Sequence, residues 1–238
     1  MKGMEMAVSD EQLEKFSEFE SILLKYNEKM NLTRITEHSQ IMVKHFADSV
    51  AVIPFLKKHL PEDLKIQAAD VGTGAGFPGI PLKIMLPQLN MTLLDSLKKR
   101  ISFLDDVIEK LDLHGIKTKH IRAEDAGKDP KLRGSFDLVI ARAVARMPVL
   151  SEYCLPLVKT GGIFAAMKAE CGDELEDSKF AIQLLGGRIE EVYEYGINNN
   201  EISRTLILVR KISDTPKAYP RKAGKALEGP LMDKRSMK

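Results

Sequence analysis

The 238-residue chain contains only two cysteines, Cys154 and Cys171. They form no CxxC pair and no cysteine–histidine pair at ligand spacing, so the sequence predicts no zinc site and no other metal centre. So few cysteines also exclude a disulfide-rich scaffold of the secreted kind. We therefore expect a protein of a reducing compartment, the cytoplasm, that needs no metal.

Long hydrophobic runs are also missing. The first residues, MKGMEMAVSDEQLEKF, have no apolar core of a signal peptide, and no uninterrupted apolar run elsewhere is long enough to span a bilayer. We expect a cytoplasmic monomer without a membrane partner. The formal net charge of +2 neither requires nor excludes nucleic acid, because a local basic face is enough to bind it.

Short apolar runs alternate with amphipathic stretches through most of the chain. Runs such as LKIQAADVG, MTLLD, SFDLVIARA and GGIFAAMKA predict buried strands, and the segments between them have helical spacing. This alternation predicts an α/β fold with a doubly wound, mostly parallel sheet. The last two strands, RIEEVYEY and RTLILVRK, are separated by a short polar loop, which indicates an antiparallel pair at one edge.

Segments of different character flank this region. Before it, the spacing predicts one amphipathic helix from Ser9 to Met30 and a second from Ser39 to Val52, with Ile41, Phe46 and Val50 directed inward. After it, the chain is rich in Pro, Gly, Lys and Arg, which is typical of a surface arm. We expect an N-terminal helical extension at residues 1–62, a catalytic domain at 63–212 and a basic tail at 213–238.

The segment DVGTGAGFPGIP, at residues 70–81, resembles a nucleotide-binding loop but departs from its known forms. No Gly-Lys-Ser/Thr follows, which excludes a P-loop. Gly72 and Gly74 fit the dinucleotide fingerprint, but its sixth position holds Phe77, whose ring interferes with the approach of a pyrophosphate. S-adenosylmethionine has no phosphate and fits this loop better. Asp95 ends the next strand, where an acid binds ribose hydroxyls, and Asp70 is placed to orient the loop or the cofactor's amino group.

Seven motifs together resemble one family. They are NLTRIT, VKHFADS, DVGTGAGFPGIPLKI, LLDSLKKRISFL, RAED, FDLVIARAVA and TPKAYPRKAG. In this order they resemble the glucose-inhibited division protein B family, bacterial enzymes that methylate N7 of a guanine in 16S ribosomal RNA. The resemblance covers nearly the whole chain and implies a class I methyltransferase with a seven-stranded sheet, an N-terminal helical addition and S-adenosyl-L-methionine as cofactor. It also implies that the substrate is 16S ribosomal RNA or the small ribosomal subunit.

The resemblance further implies particular site residues. Gly72 and Phe77 would contact the cofactor, and Ala123 and Glu124 of RAED would lie beside its adenine. Arg142 would end the fourth strand where cofactor and substrate meet. We interpret Arg142 as the catalytic residue that positions the guanine or its phosphate; the alternative is an arginine that pairs with an acid at the strand end.

Basic residues are candidates for RNA contact. Lys168 and Arg204 are expected on the same rim of the sheet, and the predicted tail carries three further candidates, Lys217, Arg221 and Lys222. The alternative interpretation of each residue is a solvated surface charge that does not contact RNA.

Three other functions remain open from the sequence alone. They are a nicotinamide-dependent oxidoreductase, a non-enzymatic RNA-binding module and a methyltransferase that acts on a small molecule. Phe77 speaks against the first. The intact Asp70, Gly72, Gly74 and Asp95 speak against the second, and the basic tail speaks weakly against the third.

Overall fold

A computed structural model describes residues 7–60 and 65–233. The expected boundary between residues 62 and 63 lies outside the described residues, as does Leu64, with which the first predicted strand begins. The three-part division of the chain therefore stays a prediction.

The centre of the molecule is a seven-stranded sheet with the strand order β3-β2-β1-β4-β5-β7-β6. The strands are β1 (Gln67–Val71), β2 (Asn90–Asp95), β3 (Ile116–His120), β4 (Phe136–Arg142), β5 (Val158–Lys168), β6 (Gly187–Ile197) and β7 (Ile202–Lys211). The first five pair in parallel, and β7 runs antiparallel to both β5 and β6. The prediction of a doubly wound, mostly parallel sheet with an antiparallel edge is confirmed.

Helices precede the sheet and cover both of its faces. They are α1 (Asp10–Met30), α2 (His38–Ile41), a π-helical segment (Met42–Ala47), α3 (Asp48–Val50), α4 (Ile53–Lys57), α5 (Gly79–Met85), α6 (Lys98–Lys110), α7 (Ala123–Ala126), α8 (Met147–Cys154), α9 (Glu174–Leu184) and α10 (Lys225–Glu228). Among the described residues, no helix combines the length and the apolar character needed to cross a membrane.

Alternating side chains of the central strands divide the core into two layers. In β4, Leu138 and Ile140 belong to the layer under the N-terminal helices, α5 and α6, whereas Val139 and Ala141 belong to the layer under α8 and α9. Both sets are fully buried, which explains why these strands appear in the sequence as continuous apolar runs. The carboxyl ends of the five parallel strands therefore meet at one edge between two packed layers.

The predicted first helix is confirmed. Ser9 caps α1 through a capping box, in which its side chain accepts from the backbone N–H of Gln12 and the Gln12 side chain accepts from that of Ser9. The predicted second helix exists but is irregular. Its middle turn is π-helical, so Asp48 N–H donates to the carbonyl of Val43 five residues earlier.

Polar as well as apolar side chains of this helix face inward. Ile41 and Phe46 are buried as expected, but Val50 is only partly buried, and Asp48 and Ser49 are buried beside them. The helix therefore directs a carboxylate toward the sheet, which the hydrophobic pattern does not predict.

An aromatic cluster attaches the N-terminal helices to the glycine loop. Phe77 stacks on Phe19 of α1 with ring centroids 5.3 Å apart and on His45 at 4.5 Å. Phe46 lies 5.6 Å from Phe19 and 6.0 Å from Phe77. Offset aromatic packing of this kind adds to the free energy of area burial. The helical addition and the loop are thus parts of one packed layer.

The C-terminal segment differs from the expected surface arm over its described part. Arg133 donates to the carbonyls of Thr215 and Tyr219 at 2.6 and 2.8 Å, and Ala226 of α10 is buried. Composition does not reveal hydrogen bonds from a distant arginine to the backbone of this segment. A sequence rich in Pro, Gly and Lys therefore suggested a loose arm. The segment packs against α7 and α8.

We predict that Phe19→Ala lowers the free energy of unfolding by about 3–5 kcal/mol, because the fully buried ring leaves a cavity that two aromatic neighbours cannot fill. Urea unfolding followed by circular dichroism measures the change. Leu13→Ala, on the exposed side of the same helix, is the matched control and should stay within about 0.5 kcal/mol of the parent. Equal losses in the two variants would contradict this packing.

Candidate active site

Two adjacent cavities open at the carboxyl ends of the strands. The first, which we call the strand-end cavity, has a volume of about 330 Å³ and lies over β1, β2 and β4. Its lining includes Gly72, Asp95, Arg100, Ala123, Glu124 and Tyr153. Ligands of doubly wound folds bind at this position, beyond the strand ends near the point where the strand order reverses.

Gly72 allows the loop to turn across the top of β1. Its φ of +69° lies in the left-handed region, which a side chain rarely adopts. A Cβ at this position would lie 2.8 Å from Cγ2 of Val144, so a side chain would also press against the loop after β4. Gly72 N–H donates to the carbonyl of Leu94 at 2.9 Å, which fixes the loop to β2.

Asp95 holds the loop and lines the strand-end cavity. Its Oδ2 accepts from Gly74 N–H at 3.0 Å and from Arg100 Nη1 at 3.3 Å, while Oδ1 accepts from Leu97 N–H at 2.9 Å. A carboxylate can accept further hydrogen bonds on its remaining lone pairs. Asp95 therefore combines a structural role with the acidic position expected for ribose hydroxyls.

Asp70 acts beneath the loop and lines neither cavity. It is fully buried, and its Oδ2 accepts from Thr73 Oγ1 at 2.6 Å and from Gly79 N–H at 2.9 Å. Gly79 is the first residue of α5, whose N–H groups lack partners within the helix. Burial raises the pKa of Asp70 to about 6, although these two hydrogen bonds oppose the shift. Of the two roles foreseen for Asp70, this geometry favours orientation of the loop.

Glu124 forms another acidic part of the strand-end cavity. Arg122 is the N-cap of the short helix α7, which begins with Ala123 and Glu124, and all three line the cavity. Tyr153 of α8 also lines this cavity and lies close to the Glu124 carboxylate. Burial, followed by the nearby Glu124 carboxylate, raises the pKa of Tyr153 to about 12, so it stays a neutral phenol.

The second cavity, which we call the arginine cavity, has a volume of about 510 Å³ and adjoins the first. Ala143 lines both cavities. The arginine cavity lies between the N-terminal helices and the strands β4, β5 and β7, and its lining includes His45, Asp48, Arg142, Lys168, Glu174 and Arg204.

Asp48 bridges two arginines of the arginine cavity. Its Oδ2 accepts from Arg142 Nη1 at 3.0 Å, and its Oδ1 accepts from Arg204 Nε at 2.9 Å. Only 6% of the Asp48 side chain is exposed, against 15% of Arg142 and 20% of Arg204. Burial lowers the pKa of Arg142, and Asp48 and Asp70 oppose that shift. Among the described residues Arg142 donates only through Nη1, so its other donors are available to a ligand.

His45 lies beside Arg142 as a neutral ring. Its Nε2 is 2.8 Å from Thr33 Oγ1, and its other nitrogen is buried without a hydrogen-bond partner in the described part of the chain. Burial, followed by the Arg142 charge, lowers the pKa of His45 to about 4. Phe77 lies against both groups, with its ring 5.3 Å from Arg142 Cζ. His45 therefore adds no further positive charge beside Arg142 and Arg204.

The predicted site residues fall into four groups. Gly72, Asp95, Ala123 and Glu124 line the strand-end cavity, and Arg142, Lys168 and Arg204 line the arginine cavity. Asp70, Gly74 and Phe77 line neither and support the loop from behind. Lys217 and Lys222 are exposed on the C-terminal segment, whereas Arg221 forms an ion pair with the buried Glu152 at 2.6 Å. Lys168 is also paired, with Glu174 at 2.7 Å.

Asp48 is the residue that sequence reasoning missed. A signal for it exists, because Ile41, His45, Asp48 and Val52 recur at helical spacing on one face. An acid within an otherwise apolar face needs a buried partner. No group of three or more His, Cys, Asp or Glu side chains able to hold a metal ion occurs within residues 7–60 and 65–233.

Comparison with known proteins gives a consistent family. The model of the GidB family, described as rRNA small subunit methyltransferase G, matches residues 12–203. A protein named ribosomal RNA small subunit methyltransferase G from Acetivibrio thermocellus is 48% identical over 229 residues, covering 96% of this chain and 93% of the relative. The protein of the same name from Oceanobacillus iheyensis is 48% identical over 232 residues, covering 97% and 96%.

Solved structures share the fold at low sequence identity. A SAM-dependent methyltransferase from Aquifex aeolicus aligns with a TM-score of 0.53 and 16% identity, over 75% of this chain and 96% of the other. A mutant of MtNAS in complex with S-adenosylmethionine aligns with a TM-score of 0.56 and 15% identity, over 85% and 72%. These likenesses concern the fold, which is that of class I methyltransferases.

The buried His45 generates a pH prediction. Above the ordinary histidine pKa of 6.5 the ring is neutral in both the folded and the unfolded chain, so the burial of His45 costs no stability through protonation. As the pH falls from 6.5 toward about 4, the unfolded chain takes up a proton that the folded chain refuses, so stability is lost. We expect His45→Gln to lose less stability than the parent over this range, as measured by guanidinium midpoints.

His114→Gln, at an exposed histidine, is the matched control for this experiment. It should follow the parent at every pH. A parallel decline of His45→Gln and the parent between pH 7 and pH 5 would contradict the buried, neutral state of His45.

Proposed function

Because the chain belongs to the GidB family of rRNA small subunit methyltransferases, it is an rRNA methyltransferase that uses S-adenosyl-L-methionine, and we propose that N7 of a guanine in 16S ribosomal RNA receives the methyl group. One observation carries the proposal. Two cavities meet at Ala143, one with the acidic wall of a nucleoside site and the other with two arginines fixed by one carboxylate. This arrangement suits a cofactor and a nucleobase placed end to end.

The strand-end cavity fits the cofactor. The positive φ of Gly72 favours glycine at this position, and glycine has no side chain to obstruct a ligand that approaches the loop. Asp95 provides acceptors for the ribose hydroxyls, and Ala123 and Glu124 form the wall for the adenine. Two carboxylates also suit a cofactor whose reactive centre is cationic. The fit requires no phosphate site, which agrees with Phe77 at the position that dinucleotide folds keep for glycine.

The reaction requires the protein to position the guanine and does not require a general base. When bound, S-adenosyl-L-methionine supplies an electrophilic sulfonium methyl group, and guanine N7 has a lone pair but no proton to remove. A donor aimed at N7 would occupy the attacking lone pair, so the arginine donors suit the neighbouring O6 or a phosphate. Arg142 orients the base through the donors that Asp48 leaves open, while Phe77 and the neutral His45 exclude water behind it.

Basic groups around the arginine cavity extend the contact to the RNA backbone. Lys168 and Arg204 lie on its rim, and the exposed Lys217 and Lys222 offer phosphate contacts on the C-terminal segment. The partner in this proposal is 16S ribosomal RNA, alone or in the small ribosomal subunit. The protein would act as a cytoplasmic monomer without a metal.

Nuclease mapping tests the acceptor. Purified protein is incubated with methyl-labelled cofactor and ribosomal RNA from a strain that lacks this protein, with RNA from a strain that contains it as the control. We expect label on the former only, recovered as 7-methylguanosine at one site. Label on another base or on another guanine atom would overturn the N7 proposal, and an unlabelled RNA would overturn the RNA substrate.

The same assay tests Arg142. Arg142→Ala should lower kcat at least about 100-fold with little change in cofactor affinity, since misplacement of the acceptor costs alignment and not cofactor binding. Arg210→Ala removes another strand arginine that pairs with a glutamate but lines neither cavity, and it should retain the parent rate. Full activity of Arg142→Ala would remove the positioning role.

A further inference from the structure

The C-terminal segment contains an ion pair that is too buried for a surface arm. Arg221 donates to Glu152 through Nε at 2.9 Å and Nη2 at 2.6 Å, and its backbone N–H donates to the same carboxylate at 2.8 Å. Glu152 lies on α8 with a side chain only 1% exposed. A two-pronged pair with a buried carboxylate fixes both partners in position. These three hydrogen bonds from Arg221 compensate the buried charge of Glu152, so the position of Arg221 is explained without a contact to RNA.

A second arginine holds the same segment from the other side. Arg133 donates to backbone carbonyls of Thr215, Pro216 and Tyr219 and also to that of Gly127, which directly follows α7. A guanidinium has donors in a fixed fork, so one side chain can join several carbonyls in one geometry. We call residues 215–226 the C-terminal strap, because Arg133 fixes its first part and also binds the carbonyl that follows α7.

The strap reaches the cavity wall itself. Gly224 N–H donates to Oε1 of Glu124 at 3.2 Å, and Glu124 lines the strand-end cavity. Gly224 has a φ of +84°, a left-handed conformation that glycine adopts without strain. Glu152, the partner of Arg221, is adjacent in sequence to Tyr153, which also lines this cavity. The strap therefore binds one residue of the wall directly and the sequence neighbour of a second.

We propose that the C-terminal strap positions Glu124 for cofactor binding, and that Arg221 acts as a positioning residue through its pair with Glu152. This inference rests on the proposed assignment of the strand-end cavity to S-adenosyl-L-methionine. It gives Arg221 a role different from the RNA contact expected from the sequence. A preorganised carboxylate costs less to order when the ligand binds, so loss of the strap weakens cofactor affinity.

Calorimetric titration with S-adenosylhomocysteine tests the proposal on the full-length protein. Arg221→Ala should raise the dissociation constant about tenfold, the effect of one lost charge-assisted contact. Arg188→Ala is the matched control, because Arg188 also pairs with a glutamate but lines neither cavity. Its dissociation constant should equal that of the parent. Arg221→Lys keeps the charge but not the fork and should lie between the two.

A double-mutant cycle separates positioning from general stability. If Arg221 acts through Glu124, then Arg221→Ala should have little further effect on affinity in a Glu124→Ala background. Additive losses would mean that Arg221 merely stabilises the fold and would overturn the proposal. Should Arg221→Ala fail to fold, the same cycle is run with Arg221→Lys.

Two results distinguish this inference from the function on which it rests. If the parent protein itself does not bind S-adenosylhomocysteine, the assignment of the cavity fails. If the parent binds but Arg221→Ala binds equally well, only the strap proposal fails. Unchanged cofactor affinity combined with weaker, less salt-dependent RNA binding would instead identify Arg221 as a phosphate contact.

Discussion

The Asp48 carboxylate is the interaction on which the site depends. It holds Arg142 at the end of β4 and Arg204 at the start of β7, and it comes from a helix outside the sheet. Burying such charges costs free energy that their attraction only partly offsets, so the ion pairs are poorly explained by stability alone. What they provide is geometry: two guanidinium groups are fixed at the rim of one cavity, and each keeps donors for a ligand. Without Asp48, two cations would face each other with no charge between them.

Phe77 connects this ionic centre to the glycine loop. Its ring packs against Phe19 of the helical addition and against His45 and Arg142, two residues that line the arginine cavity, while its backbone belongs to the glycine loop. The N-terminal helices therefore line the arginine cavity and pack against the glycine loop. The C-terminal strap contacts Glu124, which lines the strand-end cavity. The N-terminal helices thus contribute lining residues to one cavity, and the strap supports a lining residue of the other.

Much of this architecture could be predicted from the sequence, because local patterns encode it. Alternating apolar runs predict the sheet, and Ser9 predicts the start of α1. Gly72 and Asp95, both expected in the cofactor site, line the strand-end cavity. Three features could not be predicted, since they depend on contacts between distant segments. Asp48 pairs with Arg142 and Arg204, which lie 94 and 156 residues away in the sequence, Arg133 and Glu152 bind a segment that has the composition of a loose arm, and Phe77 packs behind the loop without lining either cavity.

If Asp48 holds the acceptor side of the site, separate from the cofactor side, its loss should slow methyl transfer without weakening cofactor binding. The decisive measurement compares Asp48→Asn with the parent, with S-adenosylhomocysteine affinity and the kcat of ribosomal RNA methylation determined on the same preparations. We expect a dissociation constant within about twofold of the parent and a kcat lowered about 100-fold, because the arginines lose their alignment while the strand-end cavity is intact. An unchanged kcat, or a loss confined to cofactor affinity, would show that Asp48 does not hold the acceptor.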